Sequence, residues 1–197
     1  MDEQKKEVVI NELNKIIEEL KTLLPIEVFN FDDFYIAGGC IYSLYNDKEP
    51  KDYDIFCKNK KAVKRLLKYF EDNRDKCNII TGNAISMGKF QFIIRHVGNP
   101  DVQVGRFDFK HNMFYYDGKR LVCLSSWEHI ESNKLSFNSK RARDVLNILS
   151  RIPKFLDRGM EISQREIYEI LEVGTRPTNI FRERASIKKF RSGNRKY

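Results

Sequence analysis

Asp52 and Asp54 stand two residues apart in Asp52-Tyr-Asp-Ile-Phe-Cys57, a stretch that alternates as a strand does. Side chains two apart on a strand leave on the same face, so the two carboxylates are neighbours. Paired carboxylates repel each other and are costly to bury without a partner. The arrangement suits a solvent-facing strand end or a hard divalent cation. Mg²⁺ takes oxygen ligands and is usually held by one or two carboxylates together with substrate phosphates. An Asp-x-Asp pair by itself is more often ordinary surface polarity than a metal site.

Gly38-Gly39 changes that weighting. The pair ends the apolar run Phe34-Tyr-Ile-Ala37 and opens residues 40–46, which can form a short helix. Glycine lets the backbone approach a phosphate closely, and the start of a helix offers free N–H groups. The competing explanation is a tight strand–helix turn that requires positive φ. A phosphate-cradling turn followed by a carboxylate pair is the equipment of phosphoryl-transfer chemistry.

The elements that must hold these residues follow from periodicity. Residues 4–24 carry apolar side chains at helical spacing, stopped by Pro25. Strands are expected at Phe34–Ala37 and Asp52–Cys57. Asn59 is placed to cap a helix with Ala62, Val63, Leu66, Leu67 and Phe70 on its inner face. Further strands are expected at Asn78–Thr81, Phe90–His96 and Val102–Phe109. Met113–Tyr116 and Leu121–Leu124 flank Asp117-Gly118, a hairpin turn signal. From Trp127 the chain reads as helical, with a basic amphipathic helix over 140–157 whose Ala142, Val145, Leu146, Leu149 and Phe155 point inward. Ser163-x-x-Glu166 is a capping box that opens a last helix, to about Leu171. The fold class is α+β, a mixed β-sheet flanked by helices with a small helical C-terminal region and a basic tail. The expected organisation is a catalytic domain over 1–125 that includes the N-terminal helix, a helical appendage over 126–175 and a tail over 176–197.

Ala37-Gly-Gly39 through Lys51-Asp-Tyr-Asp-Ile-Phe56 resembles the signature of the nucleotidyltransferase superfamily, which includes DNA polymerase β, CCA-adding enzymes and bacterial poly(A) polymerases. The resemblance is nearest to the CCA-adding and poly(A) polymerase head domain. It extends to small single-domain members of bacteriophages, in which Pro-Lys-Asp-x-Asp leads to a later Phe-Asp-Phe strand. The likeness is specific over 34–57 and weaker over 84–110.

The resemblance implies that Gly38 and Gly39 hold the incoming triphosphate, and that Asp52 and Asp54 bind two Mg²⁺ ions. A third carboxylate on a later strand would share the metals and help activate the attacking hydroxyl. Asp108, in Arg106-Phe-Asp-Phe109, is the choice; Asp101 beside Pro100 and Asp117 in the hairpin are the alternatives. CCA-adding enzymes carry Arg-Asp shortly after the glycines, where this chain has Tyr42-Ser43. Triphosphate contact would then fall to Ser43, Lys51, Arg95 or Arg106. The Glu-Asp-x-x-Arg motif that selects C and A is not evident, which argues against CCA addition itself. Tyr42, Tyr45, Tyr115 and Tyr116 could stack a base, although aromatics in such elements are more often core. His96, His111 and His129 show no ligand spacing.

Charge and composition narrow the partners. The chain carries a net charge of +8 over 197 residues. Residues 176–197 hold eight Lys and Arg against Glu183 alone, a net +7, which leaves residues 1–175 at +1. An RNA (tRNA-like) 3′ end is the first acceptor in view, gripped by the helix at 140–157 and the tail at 176–197, with a protein or a small molecule also open. The nearly neutral body argues against a broad nucleic-acid groove and leaves the tail to supply the charge. Cys40, Cys57, Cys77 and Cys123 form no C-x-x-C pair, so a zinc site or disulfide framework is not expected. No stretch approaches the roughly 18 apolar residues of a membrane span, and the charged start lacks a signal-peptide pattern. The expectation is a soluble, cytoplasmic protein, acting in the host cytoplasm if it comes from a phage.

Two functions are therefore in view. One is a Mg²⁺-dependent, ATP- or other NTP-using nucleotidyltransferase that moves a nucleoside monophosphate to a hydroxyl and releases pyrophosphate. The other is a catalytically silent module of the same fold that binds nucleic acid or a protein partner.

Overall fold

The computed structural model describes residues 2–140 and 145–175. The expected tail at 176–197, and residues 141–144 of the expected basic helix, lie outside the described residues. The chain divides into two compact units, one formed by residues 1–105 and 111–131, the other by 106–110 and the chain from Ser132 onward.

The first unit holds a seven-stranded mixed sheet. Its strands are β1 (Phe34–Ala37), β2 (Tyr53–Cys57), β3 (Ile79–Ile80), β4 (Ala84–Met87), β5 (Phe90–Ile93), β6 (Phe114–Tyr116) and β7 (Leu121–Cys123). They lie in the order β3-β4-β5-β2-β1-β6-β7. β2 sits near the middle, antiparallel to β1 and parallel to β5. The mixed α+β architecture expected of a nucleotidyltransferase-like sheet is present.

α1 (Glu3–Leu23) starts where Asp2 caps the Lys5 N–H at 3.2 Å, and it buries Val9, Leu13, Ile16, Ile17 and Leu20. These positions form the inward stripe of an amphipathic helix. Asn14 accepts the Tyr116 hydroxyl proton at 2.7 Å, so α1 packs on the sheet face that carries Tyr116. α3 (Lys60–Asp72) begins at Asn59, whose side chain accepts from the Ala62 N–H at 2.9 Å, and it buries Ala62, Leu66 and Phe70. Phe70 meets Phe92 of β5 with ring centroids 6.1 Å apart. Asn59 also donates to Asp33 at 2.7 Å, and Arg65 pairs with the same carboxylate. This network ties the entry to β1 onto α3.

Several expected elements are corrected. Val102–Phe109 is not a strand: α4 (Pro100–Val104) occupies its start, followed by a turn and a single bridge at Phe109. The cause is local. Asn99 accepts from the Asp101 N–H at 2.8 Å and Pro100 takes the first helical position, a helix start rather than a strand start. The strand expected to reach His96 stops at Ile93, because the Ile94 and Arg95 N–H groups turn to the Asn83 carbonyl. β4 was not expected; it completes a three-strand meander with β3 and β5.

The second unit contains α6 (Val145–Leu156) and α7 (Gln164–Thr175); α5 (Trp127–Glu131) belongs to the first. On α6 the buried stripe is Val145, Ile148, Ile152 and Phe155, and Leu146, expected inward, is exposed. α7 extends past Leu171 to Thr175. Ser163 accepts from the Glu166 N–H at 3.2 Å, half of the expected capping box. Glu166 does not complete it, since its carboxylate accepts from the Phe137 N–H at 2.6 Å instead.

The Tyr35 ring on β1 is fully buried, stacked on Phe56 at 5.2 Å, and its hydroxyl has no hydrogen-bond partner among the described residues. Burial pushes that phenol's pKa well above its usual value. A buried hydroxyl without a partner loses its hydration and recovers nothing. Tyr35→Phe is therefore expected to leave the melting temperature unchanged or raise it, as calorimetry would show; a clear drop would mean the hydroxyl has a bonded partner.

Candidate active site

Gly38 ends β1 with φ 88° and caps α2 (Gly39–Tyr45). That conformation is open to glycine and strained for most other residues. In the antiparallel pairing Ile36 faces Ile55, so the next step sets Ala37 level with Asp54 and Gly38 level with Tyr53. The glycine turn and the carboxylate pair thus share one end of the sheet. Asp54 lies on the face that carries Tyr35 and Phe56, opposite the face covered by α1. Asp52 precedes β2 at the same end, and both carboxylates are half-buried.

The thiol of Cys40, in the first turn of α2, reports the same proximity. Burial and then the Asp54 carboxylate push it up to about 12. Cys57 is pushed to about 12 by its own burial. Both thiols should therefore resist alkylation at pH 8 in the folded protein and react only on unfolding, while half-exposed Cys77 reacts first; peptide mapping after brief iodoacetamide treatment checks this.

Gly39 carries the most informative steric fact. A Cβ built there would meet only the Asn112 Oδ1, at an ordinary 3.8 Å. Packing therefore does not require glycine at this position.

The other residues expected at the site are spread. Ser43 is half-buried on α2, and Lys51 is exposed just before Asp52. Arg95 lies beyond Ile93, which is level with Phe56 at the opposite end of the sheet, and it donates to Asn83 at 2.9 Å. Arg106 and Asp108 belong to the second unit. Asp101 accepts the Tyr115 hydroxyl proton at 2.7 Å, and Asp117 accepts from the Lys119 and Arg120 N–H groups in its hairpin. Tyr42, Tyr45, Tyr115 and Tyr116 are all buried, with Tyr45 donating to Glu131 at 2.9 Å. Buried His111 packs edge-on against Tyr42 at 5.0 Å.

Asp108 has a partner the sequence did not reveal. Its side chain is 5% exposed and ion-paired to Arg151 on α6, itself 56% exposed. Its segment is fixed further by the Asn138 N–H, which donates to the Asp108 carbonyl at 2.8 Å, and by the Asn138 amide, which donates to the Phe107 carbonyl at 3.0 Å. No local signal joins residues 108 and 151. Among the described residues no three His, Cys, Asp or Glu side chains gather as a metal-binding group. Arg151→Ala strands a buried carboxylate. Because the arginine is half in water, the expected cost is about 1–2 kcal/mol by urea denaturation, part of it recovered in Arg151→Ala with Asp108→Asn.

The fold is that of the nucleotidyltransferase superfamily. A Thermotoga maritima CCA-adding enzyme in complex with tRNA superposes with a TM-score of 0.55 at 14% identity, over 81% of this chain and 42% of that one. A CCA-adding enzyme in complex with CTP gives 0.53 at 12% identity, over 82% and 44%. The particular family follows from the sequence: residues 3–133 match the model of the Gabija anti-defense 2 family, and the chain belongs to that family. A relative from Bacillus phage SPbetaL7, "Gabija anti-defense 2", is 27% identical over 170 residues, 81% of this chain and 42% of the relative. The chain thus spans less than half the length of that relative. No described helix is long and apolar enough to cross a membrane.

Proposed function

We propose that the chain counters the Gabija defence as a Mg²⁺-dependent nucleotidyltransferase, moving a nucleoside monophosphate from an NTP to a hydroxyl of a protein. The observation that carries this reading is the β1–β2 register, which brings the Gly38-Gly39 turn level with the Asp54 end of β2. The glycine at 39, unneeded for packing, supports it.

The donor set fits a hard cation: Asp52 and Asp54 are half-buried oxygen donors on neighbouring positions, and among the described residues no basic side chain forms an ion pair with Asp52. Asp52 and Asp54 would hold two Mg²⁺ ions, with Asp108 as the proposed third carboxylate on the strength of the family resemblance. Bound there, the cations would offset phosphate charge and acidify the attacking hydroxyl. The Gly38-Gly39 backbone accommodates the triphosphate, with Ser43, Lys51 and Arg106 proposed as its further contacts. The hydroxyl oxygen bonds to the α-phosphorus as the bond from that phosphorus to the β-phosphate oxygen breaks. Pyrophosphate departs with the electron pair, and the hydroxyl proton passes to a site carboxylate.

A protein acceptor is preferred because the family is defined by opposition to a defence system. The described part of the basic helix also offers little grip on a phosphate backbone. α6 carries only Arg151 and Lys154, and Arg151 is engaged by Asp108. An RNA 3′ end, served by 140–157 and 176–197, is the second reading, favoured by the tRNA bound to a fold neighbour. A silent binding module is the alternative outside catalysis, favoured by the Arg151 pairing of Asp108.

Incubation with each α-³²P-labelled and γ-³²P-labelled NTP, Mg²⁺ and purified Gabija proteins tests this. Label should pass to protein from the α position alone. It should fall by more than about 100-fold in Asp52→Asn and Asp54→Asn variants that keep their circular dichroism. Label on added tRNA instead would move the acceptor to RNA, and no transfer to either would leave the silent module.

A further inference from the structure

The lysines of α1 and α3 are arranged in opposite ways. On α1 all four have a carboxylate: Lys5 lies 3.5 Å from Asp47, Lys6 3.1 Å from Glu3, Lys15 2.6 Å from Glu12 and Lys21 2.7 Å from Glu18. On α3, Lys60, Lys61, Lys64 and Lys68 are all exposed, and none forms an ion pair among the described residues.

The spacing on α3 works against the helix. Lys60, Lys64 and Lys68 follow one another at four-residue steps, and Lys61 stands one turn from Arg65, so like charges are stacked along one side. The cations crowd the N-terminal half, where the helix dipole is positive, while Glu71 and Asp72 fall in the last turn, where it is negative. The core does not ask for this, since the buried stripe of α3 is Ala62, Leu66 and Phe70. Residues 58–70 hold six Lys and Arg and no acid, a net +6, and because residues 1–175 total +1 the remainder of that span carries −5. The nearly neutral body is therefore an average of a basic ridge and an acidic remainder. Arg65 pairs with Asp33 and Lys58 donates to the Asp32 carbonyl at 2.9 Å, which leaves the four exposed lysines for an anionic partner.

Their surroundings select among polyanions. Protein interfaces are depleted in lysine and rely on aromatic and arginine anchors. The one ring of α3 outside its buried stripe, Tyr69, is half-buried, edge-on to Phe70 at 5.2 Å, and accepts from Lys76 at 2.9 Å. The face thus also lacks the stacking platform that single strands use. Lys60 to Lys68 spans about 12 Å of convex helix. The major groove of B-form DNA is about 12 Å wide and admits a helix, whereas that of A-form RNA is closed to side chains. The chain's own end at 176–197, net +7, has the wrong sign.

We propose that the outer face of α3 holds the phosphate backbone of duplex DNA without reading its sequence. Phe70 meets Phe92, which is level with Ile55, so α3 covers the sheet face opposite Asp54. The patch is separate from the proposed transfer site, and the inference does not rest on catalysis.

The test is binding of the full-length chain to a short DNA duplex of arbitrary sequence, read by fluorescence anisotropy across a salt series. The triple variant Lys60→Gln, Lys64→Gln, Lys68→Gln is expected to weaken binding more than about 10-fold and to flatten the slope of log affinity against log salt by about 2–3. Its melting temperature should hold or rise, because like charges are removed from one row. Lys5→Gln, Lys15→Gln, Lys21→Gln on α1 changes the net charge equally and should bind as the wild type does. An unchanged slope in the α3 variant assigns binding elsewhere and overturns the proposal. An equal loss in the α1 variant shows diffuse charge alone and overturns it too. Wild-type binding to an RNA duplex or to polyglutamate as tight as to DNA, and lost in the α3 variant, would assign the face to RNA or to an acidic protein and overturn it. No DNA binding by the wild type overturns it outright, while label transfer judges catalysis separately.

Discussion

The pairing of β1 with β2 is the constraint on which the first unit turns. It sets Ile36 opposite Ile55, and everything at the candidate site follows from that alignment. A slip of one residue would send every side chain of β2 to the other face, turning Asp54 toward α1 and the core. The apolar residues hold the alignment, because Phe34, Ile36, Ile55 and Cys57 are buried on one face while Tyr35 and Phe56 stack on the other. Hydrophobic burial thus determines where two charged groups stand. Placing both near the middle of the sheet, with β5 and β1 on either side of β2, gives them a rigid base that a loop could not provide.

The neighbourhood of Gly38-Gly39 shows the same division of labour. Gly38 has a backbone reason to be glycine, its φ of 88°, whereas Gly39 has no steric one. The first serves the fold, and the second is not required by packing. Nearby polar groups on this unit are mostly satisfied by the protein: Tyr45 by Glu131, Tyr115 by Asp101, Tyr116 by Asn14. Tyr115 and Tyr116 fix α4 and α1 to the sheet, Tyr45 joins α2 to α5, and all three rings are buried. The second unit treats Asp108 in the same way, pairing it with Arg151.

Much of this was legible in the residues because the signals were local. The strand limits at Phe34–Ala37, the Asn59 cap and the Asp117-Gly118 turn each depend on a handful of adjacent side chains, and each is found where expected. The turn–helix–strand spacing of the glycines and the Asp pair was readable for the same reason. The misreadings came where local signals competed or where the partner was remote. Val102-Gln-Val104 has strand-like composition, yet Asn99 and Pro100 impose a helix start on it. The inner stripe of α6 was misphased because Leu146 and Ile148 are equally apolar, and only packing decides between them. The Asp108–Arg151 pair spans 43 positions and is written in no motif. Asp108 itself read as a strand end when it belongs to a loop held by Asn138.

If the register makes one nucleotide site from two separate motifs, as proposed, metal-coupled nucleotide binding shows it most directly. Calorimetric titration of NTP into the wild-type chain, with and without Mg²⁺, should show binding that depends on the metal. Asp54→Asn should lose that dependence, and Gly39→Ala should lose the affinity while keeping its melting temperature. Binding that is the same in Asp54→Asn and Gly39→Ala as in the wild type, or no NTP binding at all, would contradict the account.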